Sequence, residues 1–209
     1  MDSTAWDERY GASELVWSAG PNVWVEASTS ELQPGRALDI AAGECRNALW
    51  LAERGWTVTA VDFSAVALDR ARRLARQRLG PQQERLITIE ADVVSWTPEP
   101  LGFDLVLVVY LHLVPADRSV VLRAAADAVA PGGTLLVVGH DLENLVGGVG
   151  GPQDPAVLCR PADVVADVEP AGLQVQRADT VRRPVVQDDG SARDALDLLV
   201  LATRPLDAA

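Results

Sequence analysis

Apolar residues recur along the chain in short, almost unbroken blocks, and between those blocks they recur at helical period. The blocks over 36–41, 57–61, 86–90, 103–109 and 134–139 predict strands. Those at 103–109 and 134–138 are nearly all apolar, as a parallel sheet covered on both faces requires. Stretches over 46–54, 64–79, 116–130 and 161–169 predict helices; in the third, Val121, Ala124, Ala125, Ala128 and Val129 share one face. Two last strands, Leu173 to Val186 and Ala195 to Thr203, are placed to pair as a hairpin across a turn at Asp188-Asp189-Gly190. Strands alternating with helices mark an α/β architecture. Residues 140–158 break the pattern, because Gly147-Gly148-Val149-Gly150-Gly151-Pro152 excludes regular structure; this reads as a mobile loop beside a site or as a surface excursion.

The stretch from Arg36 to Asp62 carries the most chemistry. An apolar strand ends in Asp39-Ile40-Ala41-Ala42-Gly43-Glu44-Cys45-Arg46-Asn47, a helical run follows, and a second strand ends in Val61-Asp62. Small residues let the backbone turn tightly and approach a ligand, and the amides opening the next helix face it. A carboxylate closing the second strand, 23 positions after Asp39, is placed to accept hydrogen bonds from ribose hydroxyls. The turn alone does not choose between cofactors: its small positions are Ala41, Gly43 and Cys45, so the full dinucleotide glycine pattern is absent.

The wider string does choose. Asp39 to Asn47, Val61-Asp62-Phe63-Ser64, Ala91-Asp92-Val93, Phe103-Asp104-Leu105-Val106 and Val129-Ala130-Pro131-Gly132-Gly133-Thr134 follow in that order, after Trp6-Asp7-Glu8-Arg9-Tyr10. This resembles the class I S-adenosylmethionine-dependent methyltransferases, and within them the tellurite-resistance and thiopurine methyltransferase-like group, over roughly residues 5 to 140. The resemblance implies a Rossmann-like three-layer α/β sandwich whose seven-stranded, mostly parallel sheet takes one antiparallel strand from a C-terminal hairpin. It implies one domain over 1–209: a helical segment or lid over 1–31, two short helices broken at Gly20-Pro21, then a cofactor-binding core over 32–140, and a substrate-side loop and closing hairpin over 141–209.

The resemblance also implies S-adenosyl-L-methionine as cofactor, with S-adenosyl-L-homocysteine as product. Asp39, Ala41, Ala42, Gly43, Cys45, Arg46 and Asn47 would line its methionine and ribose portion. Asp62 would hold the ribose hydroxyls and Phe63 pack on adenine, while Asp92 would accept from the exocyclic amine with the Val93 amide facing the ring. Asp92 also suits a turn or a helix cap. Arg9 or Arg46 would answer the cofactor carboxylate, with Trp17 and Trp24 as cover. Cys45 departs from the family, which has glycine there; the thiol either fits as a small buried group or, at a helix N-terminus, acquires a lowered pKa.

Acceptor chemistry belongs at the ends of the later strands. After the fourth come Val109, Tyr110 and His112, and His140 ends the fifth; either histidine can act as a general base or hydrogen-bond the substrate. Arg182 and Arg183, with Tyr110 and Trp17, are substrate-side candidates, and alternation along a strand lets only one of the two arginines point inward. A soft nucleophile of sulfur, selenium or tellurium, or an anion, needs no strong base, whereas an oxygen or nitrogen acceptor of secondary metabolism does. Two further alternatives are a binding protein without methyl transfer and a nicotinamide oxidoreductase, which Asp62 would suit but which lacks the full glycine pattern and a Tyr-x-x-x-Lys base.

Composition removes rivals. The chain has 209 residues, 48% apolar, and all 18 basic residues are arginine, so a Walker-type phosphate loop, a pyridoxal Schiff base and a lysine base are excluded. Two cysteines and two histidines, widely spaced, give neither a disulfide framework nor a metal set. No signal peptide or membrane-length apolar run is present, which with the cysteine usage points to the cytoplasm. A net charge of −12 opposes a nucleic-acid partner and leaves a small-molecule acceptor, with the protein a monomer or homodimer. Arg70, Arg72, Arg73, Arg76 and Arg78 fall on the polar face of one helix and are expected to be solvated.

Overall fold

Residues 6–7, 20–187 and 190–206 are described by the computed structural model. Seven strands form one sheet: β1 (Arg36–Ile40), β2 (Thr57–Asp62), β3 (Leu86–Glu90), β4 (Phe103–Val109), β5 (Val129–His140), β6 (Gln174–Val186) and β7 (Ala192–Thr203). Their order is β3-β2-β1-β4-β5-β7-β6. Strands β1 to β5 pair parallel, and β7 runs antiparallel to both β5 and β6. The sequence therefore anticipated both the strand number and the single reversed strand.

Among the described residues the α-helices with defined bounds are α1 (Val23–Thr29), α2 (Arg46–Glu53), α3 (Ala65–Leu79), α4 (Pro115–Ala128), α5 (Asn144–Gly147) and α6 (Pro161–Val168). One face of the sheet buries Val25 of α1, Leu49 of α2 and Leu68 and Ala71 of α3 against Leu105, Leu107 and Leu199. The other buries Val121 and Ala125 of α4 and Val164 and Val168 of α6 against Val106, Leu135 and Val200. Alternate residues of one strand thus feed two separate cores, which is why these strands lack a polar face.

Local chemistry sets the boundaries. Ser64 caps α3, its hydroxyl accepting from the Ala67 amide at 3.1 Å, and Asn22 caps α1 through the Trp24 amide at 2.9 Å. Helix α4 stops at Ala128, two residues short of the predicted end, because Val129 is already extended and pairs with Phe103; β5 accordingly starts before its predicted first residue. Arg204, just beyond β7, is buried and spends its guanidinium on the carbonyls of Val129, Ala171 and Ala126. Three oriented carbonyls offset the cost of burying that cation, which has no counter-ion among the described residues.

Two expectations need correction. Arg70 is not a solvated face residue, because it pairs with the buried Glu44 of the turn after β1; Arg72, Arg73, Arg76 and Arg78 are exposed as expected, with Arg78 reaching Glu53 of α2 at 2.8 Å. The helix uses Arg70 and Arg78 to clamp the neighbouring turn and helix. The loop 140–158 is also more ordered than its glycines suggest. Buried Asn144 donates to the Gly150 carbonyl at 2.9 Å and accepts from the Leu196 amide at 2.7 Å, which staples the loop onto β7. Gly151, at φ +74°, lies so close to the His140 ring that an added Cβ would stand 2.5 Å from it.

Candidate active site

The strand order reverses between β1 and β4, and ligands in open α/β sheets lie beyond the carboxyl ends of the strands at such a point. The turn after β1 begins there. Ala41, Gly43 and Cys45 have φ of 56°, 54° and 61°, so the three small positions of the motif are its left-handed positions. An L-residue in that region costs roughly 1 kcal/mol. Two of the three positions, Ala41 and Cys45, bear that strain here.

Asp62 supports this turn from beneath. Its Oδ2 accepts from the Gly43 amide at 2.8 Å and its Oδ1 from the Ser64 amide at 2.9 Å. Burial raises its pKa, with those amides opposing. Asp39 is more extreme. It is buried, its Oδ2 has no hydrogen-bond partner among the described residues, and burial lifts its pKa to about 7, opposed by the Ala48 amide and reinforced by Asp62. Arg46, whose pKa burial lowers, lies within electrostatic reach of Tyr110, Asp39 and Arg183. Asn47 turns its Oδ1 to the Asn22 amide at 2.9 Å, so it ties the turn to α1.

Cys45 is fully buried, with its Sγ 3.6 Å from the Gly43 carbonyl. Burial, then the Asp39 and Asp62 carboxylates, push its pKa well above the ordinary thiol value. Burial and the neighbouring carboxylates thus oppose a thiolate, and the structure contains the small buried filler. Phe63, Val93 and Val109 are half-buried, as are Ala41 and Ala42. Asp92 is exposed at the end of β3; its Oδ1 accepts from the Val94 amide at 2.9 Å, the turn geometry foreseen for it. Arg9 and Trp17 lie outside the described residues.

A second group gathers at the ends of β4 to β7. Asp197 of β7 is fully buried. Its Oδ2 accepts from Tyr110 Oη at 2.8 Å, Arg183 Nε at 2.8 Å and Trp24 Nε1 at 2.9 Å. Burial opposes its ionisation, but the surrounding His140, Arg183, Trp24 and Tyr110 prevail and hold its pKa at about 2. His140 Nδ1 stands 3.4 Å from Asp197 Oδ1, within electrostatic range but without the geometry of a hydrogen bond. The His112 and His140 rings stack with centroids 5.5 Å apart. His112 Nε2 accepts from the His140 amide at 3.3 Å, and burial followed by His140 lowers the His112 pKa to about 4. That ring is neutral at pH 7, with its proton on Nδ1.

Sequence alternation had left Arg182 and Arg183 equal. Arg183 points inward to Asp197 and Tyr110, whereas the Arg182 side chain is 73% exposed and pairs with Asp194 at 3.3 Å. Asp197 was missed. Its signal was a carboxylate set inside Leu196-Asp197-Leu198-Leu199-Val200, where an inner strand has no cheap place for charge. On the α4 and α6 face, a pocket lined by Leu113, Val121, Leu122 and Cys159 has His112, His140 and Arg118 as its polar groups, so it shares both histidines with the Asp197 cluster. Cys159, its pKa raised to about 11 chiefly by burial, supplies no thiolate there. No cluster of potential metal ligands occurs among the described residues.

With this geometry in place, comparison with known proteins is direct. Residues 37–133 match the methyltransferase domain family. The fold, the turn and that match together support S-adenosylmethionine-dependent methyltransferase activity, with S-adenosylmethionine as cofactor. The chain is 29% identical over 211 residues to the tRNA 5-carboxymethoxyuridine methyltransferase of Escherichia coli K12, covering 91% of this chain and 79% of that protein. A solved structure concerned with conversion of a disulfide bond into a thioacetal group during echinomycin biosynthesis superposes with a TM-score of 0.72 at 19% identity, covering 99% of this chain and 94% of that one. TehB from Haemophilus influenzae superposes with a TM-score of 0.71 at 12% identity, covering 97% and 66%. These two likenesses establish shared fold and do not single out a subgroup. The tRNA nucleoside named for the Escherichia coli relative does not support the expectation of no nucleic-acid partner. No helix among the described residues is long and apolar enough to cross a membrane.

Proposed function

We propose that the protein transfers the methyl group of S-adenosylmethionine to a small anionic acceptor, with a sulfur, selenium or tellurium nucleophile as in the tellurite-resistance and thiopurine-like group. When bound, S-adenosylmethionine supplies an electrophilic methyl on a sulfonium sulfur. The residues present suit it. Asp39 offers a buried, unpartnered carboxylate oxygen, the left-handed turn exposes backbone, and Asp62 stands at the neighbouring strand end. In this reading Asp62 takes the ribose hydroxyls and Phe63 packs on adenine. Asp92 and the Val93 amide read the exocyclic amine, and Arg46 with Arg9 meets the carboxylate. Trp24, with Trp17, covers the site as part of a lid formed by residues 1–31.

The observation that carries the acceptor class is that the acceptor edge has cations and donors but few uncommitted bases. Asp197 is filled by donors, His112 Nε2 is engaged by an amide, and the Tyr110 hydroxyl, its pKa pushed above the phenolic range chiefly by burial, donates to Asp197. Arg183, half-buried, has no partner on Nη1 among the described residues. Such a site favours an acceptor that arrives with its lone pair and its negative charge. Its own work is alignment of nucleophile, methyl and leaving sulfur where water is scarce. The carboxymethoxy group of the relative's named nucleoside is anionic too, while the −12 charge of this chain gives little purchase on a tRNA body.

A second reading has its own observation: His140 beside Asp197 resembles an oriented base, which an oxygen or nitrogen acceptor would need. Conversion of S-adenosylmethionine to S-adenosylhomocysteine with mercaptoacetate, its methyl ester, a phenol, an amine or bulk tRNA as acceptor distinguishes these. Turnover of mercaptoacetate well above its ester is expected. Preference for the phenol or amine, lost on His140→Gln, would replace the first reading by the second, and turnover of tRNA alone would defeat both.

A further inference from the structure

We propose that Asp197 is a positioning residue: it aims Arg183 at the acceptor and, through Trp24, holds α1 over the same space. This rests on the anionic-acceptor reading. The Asp197 carboxylate sits in an apolar stretch of an inner strand, where a charge survives only if fully partnered. The equally buried Asp141 is satisfied more simply, by the Glu143 amide at 2.9 Å and the Thr180 hydroxyl of β6 at 2.7 Å. Asp197 instead draws in side chains from α1, from beyond β4, and from β5 and β6.

The manner of pairing matters. Arg183 meets Asp197 side-on, through Nε at 2.8 Å and Nη2 at 3.4 Å, and its guanidinium lies 5.7 Å from the centre of the Tyr110 ring. That edge is consumed, so Nη1 is the end left to answer a ligand. Tyr110, at φ +57°, hydrogen-bonds both Arg183 and Asp197, which fixes the guanidinium plane from a second side. Trp24 lends its indole N–H from α1, and the first turn of α1 is anchored to the cofactor side by the Asn22 amide on Asn47. One carboxylate therefore organises the cation, its aromatic support and the covering helix, without contact to Asp39 or Asp62. An asparagine in its place offers one acceptor oxygen and turns an amide N–H₂ toward donors.

The test compares wild type with Asp197→Asn, both saturated with S-adenosylhomocysteine. Nitrogen-15 NMR of arginine side chains reads the Arg183 Nε–H, with Arg204 Nε–H, bonded to the Val129 carbonyl, as internal control. The Arg183 signal is expected to be protected from exchange in the wild type and lost in the variant, with Arg204 unchanged. Mercaptoacetate, used as the probe, is expected to bind the variant about tenfold more weakly, while S-adenosylhomocysteine affinity stays within about threefold. Adding Arg183→Gln to Asp197→Asn is expected to change mercaptoacetate affinity by less than about twofold, because the same interaction is already lost. An unaltered Arg183 signal, unaltered mercaptoacetate affinity, or full additivity of the two substitutions overturns the proposal. If Asp197→Asn does not fold, Trp24→Phe removes a single donor; partial loss of Arg183 protection supports the proposal and full retention overturns it. Failure of mercaptoacetate to bind wild type defeats the anionic-acceptor reading, and the Arg183 signal then decides the role of Asp197 alone.

Discussion

The turn from Asp39 to Asn47 and the cluster around Asp197 lie on the same edge of the sheet but are built from different materials. The turn is nine consecutive residues whose work is done mostly by backbone: left-handed φ angles at Ala41, Gly43 and Cys45, and amides of Gly43 and Ser64 on Asp62. The cluster is side chains only, with Trp24 and Asp197 meeting across 173 positions of sequence. Backbone geometry constrains residue type tightly and locally. Side-chain clusters leave residue type free wherever another element can deliver the partner, so acceptor choice can change while the cofactor turn stays fixed.

That contrast can be broken or sharpened by substitution. Asp62→Ala strikes the turn and, in the proposed reading, the ribose hydroxyls together, and is expected to weaken S-adenosylmethionine binding by about 100-fold in calorimetry. Unchanged affinity would mean that the cofactor is held elsewhere. Arg183→Gln should lower kcat/KM for an anionic acceptor by about 30-fold while leaving the cofactor dissociation constant alone. A matching loss of cofactor affinity would show that the two regions are not separable.

Asp39 offers a pH test of the turn. Its folded pKa of about 7 exceeds the ordinary 3.8, so the folded state holds the proton more tightly and stability falls as pH rises between those values. The stability difference between Asp39→Asn and wild type is expected to move by roughly 2 kcal/mol in favour of the variant between pH 5 and pH 8, read from urea melts without cofactor. Taking the difference cancels His112, which acts oppositely: its folded pKa of about 4 makes stability rise with pH up to its ordinary value of 6.5. A flat difference would show that Asp39 is ionised throughout. At Cys45, valine is expected to cost about 1–2 kcal/mol because a β-branched residue resists φ near +60°, whereas glycine trades that strain against a lost buried thiol and changes stability by less than about 1 kcal/mol. Arg182→Gln, on the solvent side of the same strand as Arg183, should alter no kinetic constant by more than about twofold.

Legibility in the sequence followed the same division. The alternation of apolar blocks gave the sheet, its seven strands and the reversed hairpin, because burial on both faces leaves a direct compositional trace. Asp39, Gly43 and Asp62 were legible because a tight turn and one strand-helix-strand passage fix their spacing. Tyr110, His112, His140 and Arg183 were legible as strand-end residues, but their partners were not. Nothing in the neighbourhood of Asp197 says that an indole far upstream will donate to it, and nothing near Arg70 says that Glu44 will be buried beneath it. The thiol of Cys45 was ambiguous for a related reason: helix N-termini favour a thiolate, burial among carboxylates opposes it, and only packing shows which prevails.

The most direct measurement is a crystal structure of the protein with S-adenosylhomocysteine. Its sulfur is expected to lie between the Asp39–Asn47 turn and the Tyr110, His140 and Arg183 side chains, open toward Arg183 with no main-chain segment between them. A sulfur that faces instead the pocket under α4 and α6, with Asp197 and Arg183 walled off behind β5, would contradict the assignment of the acceptor site.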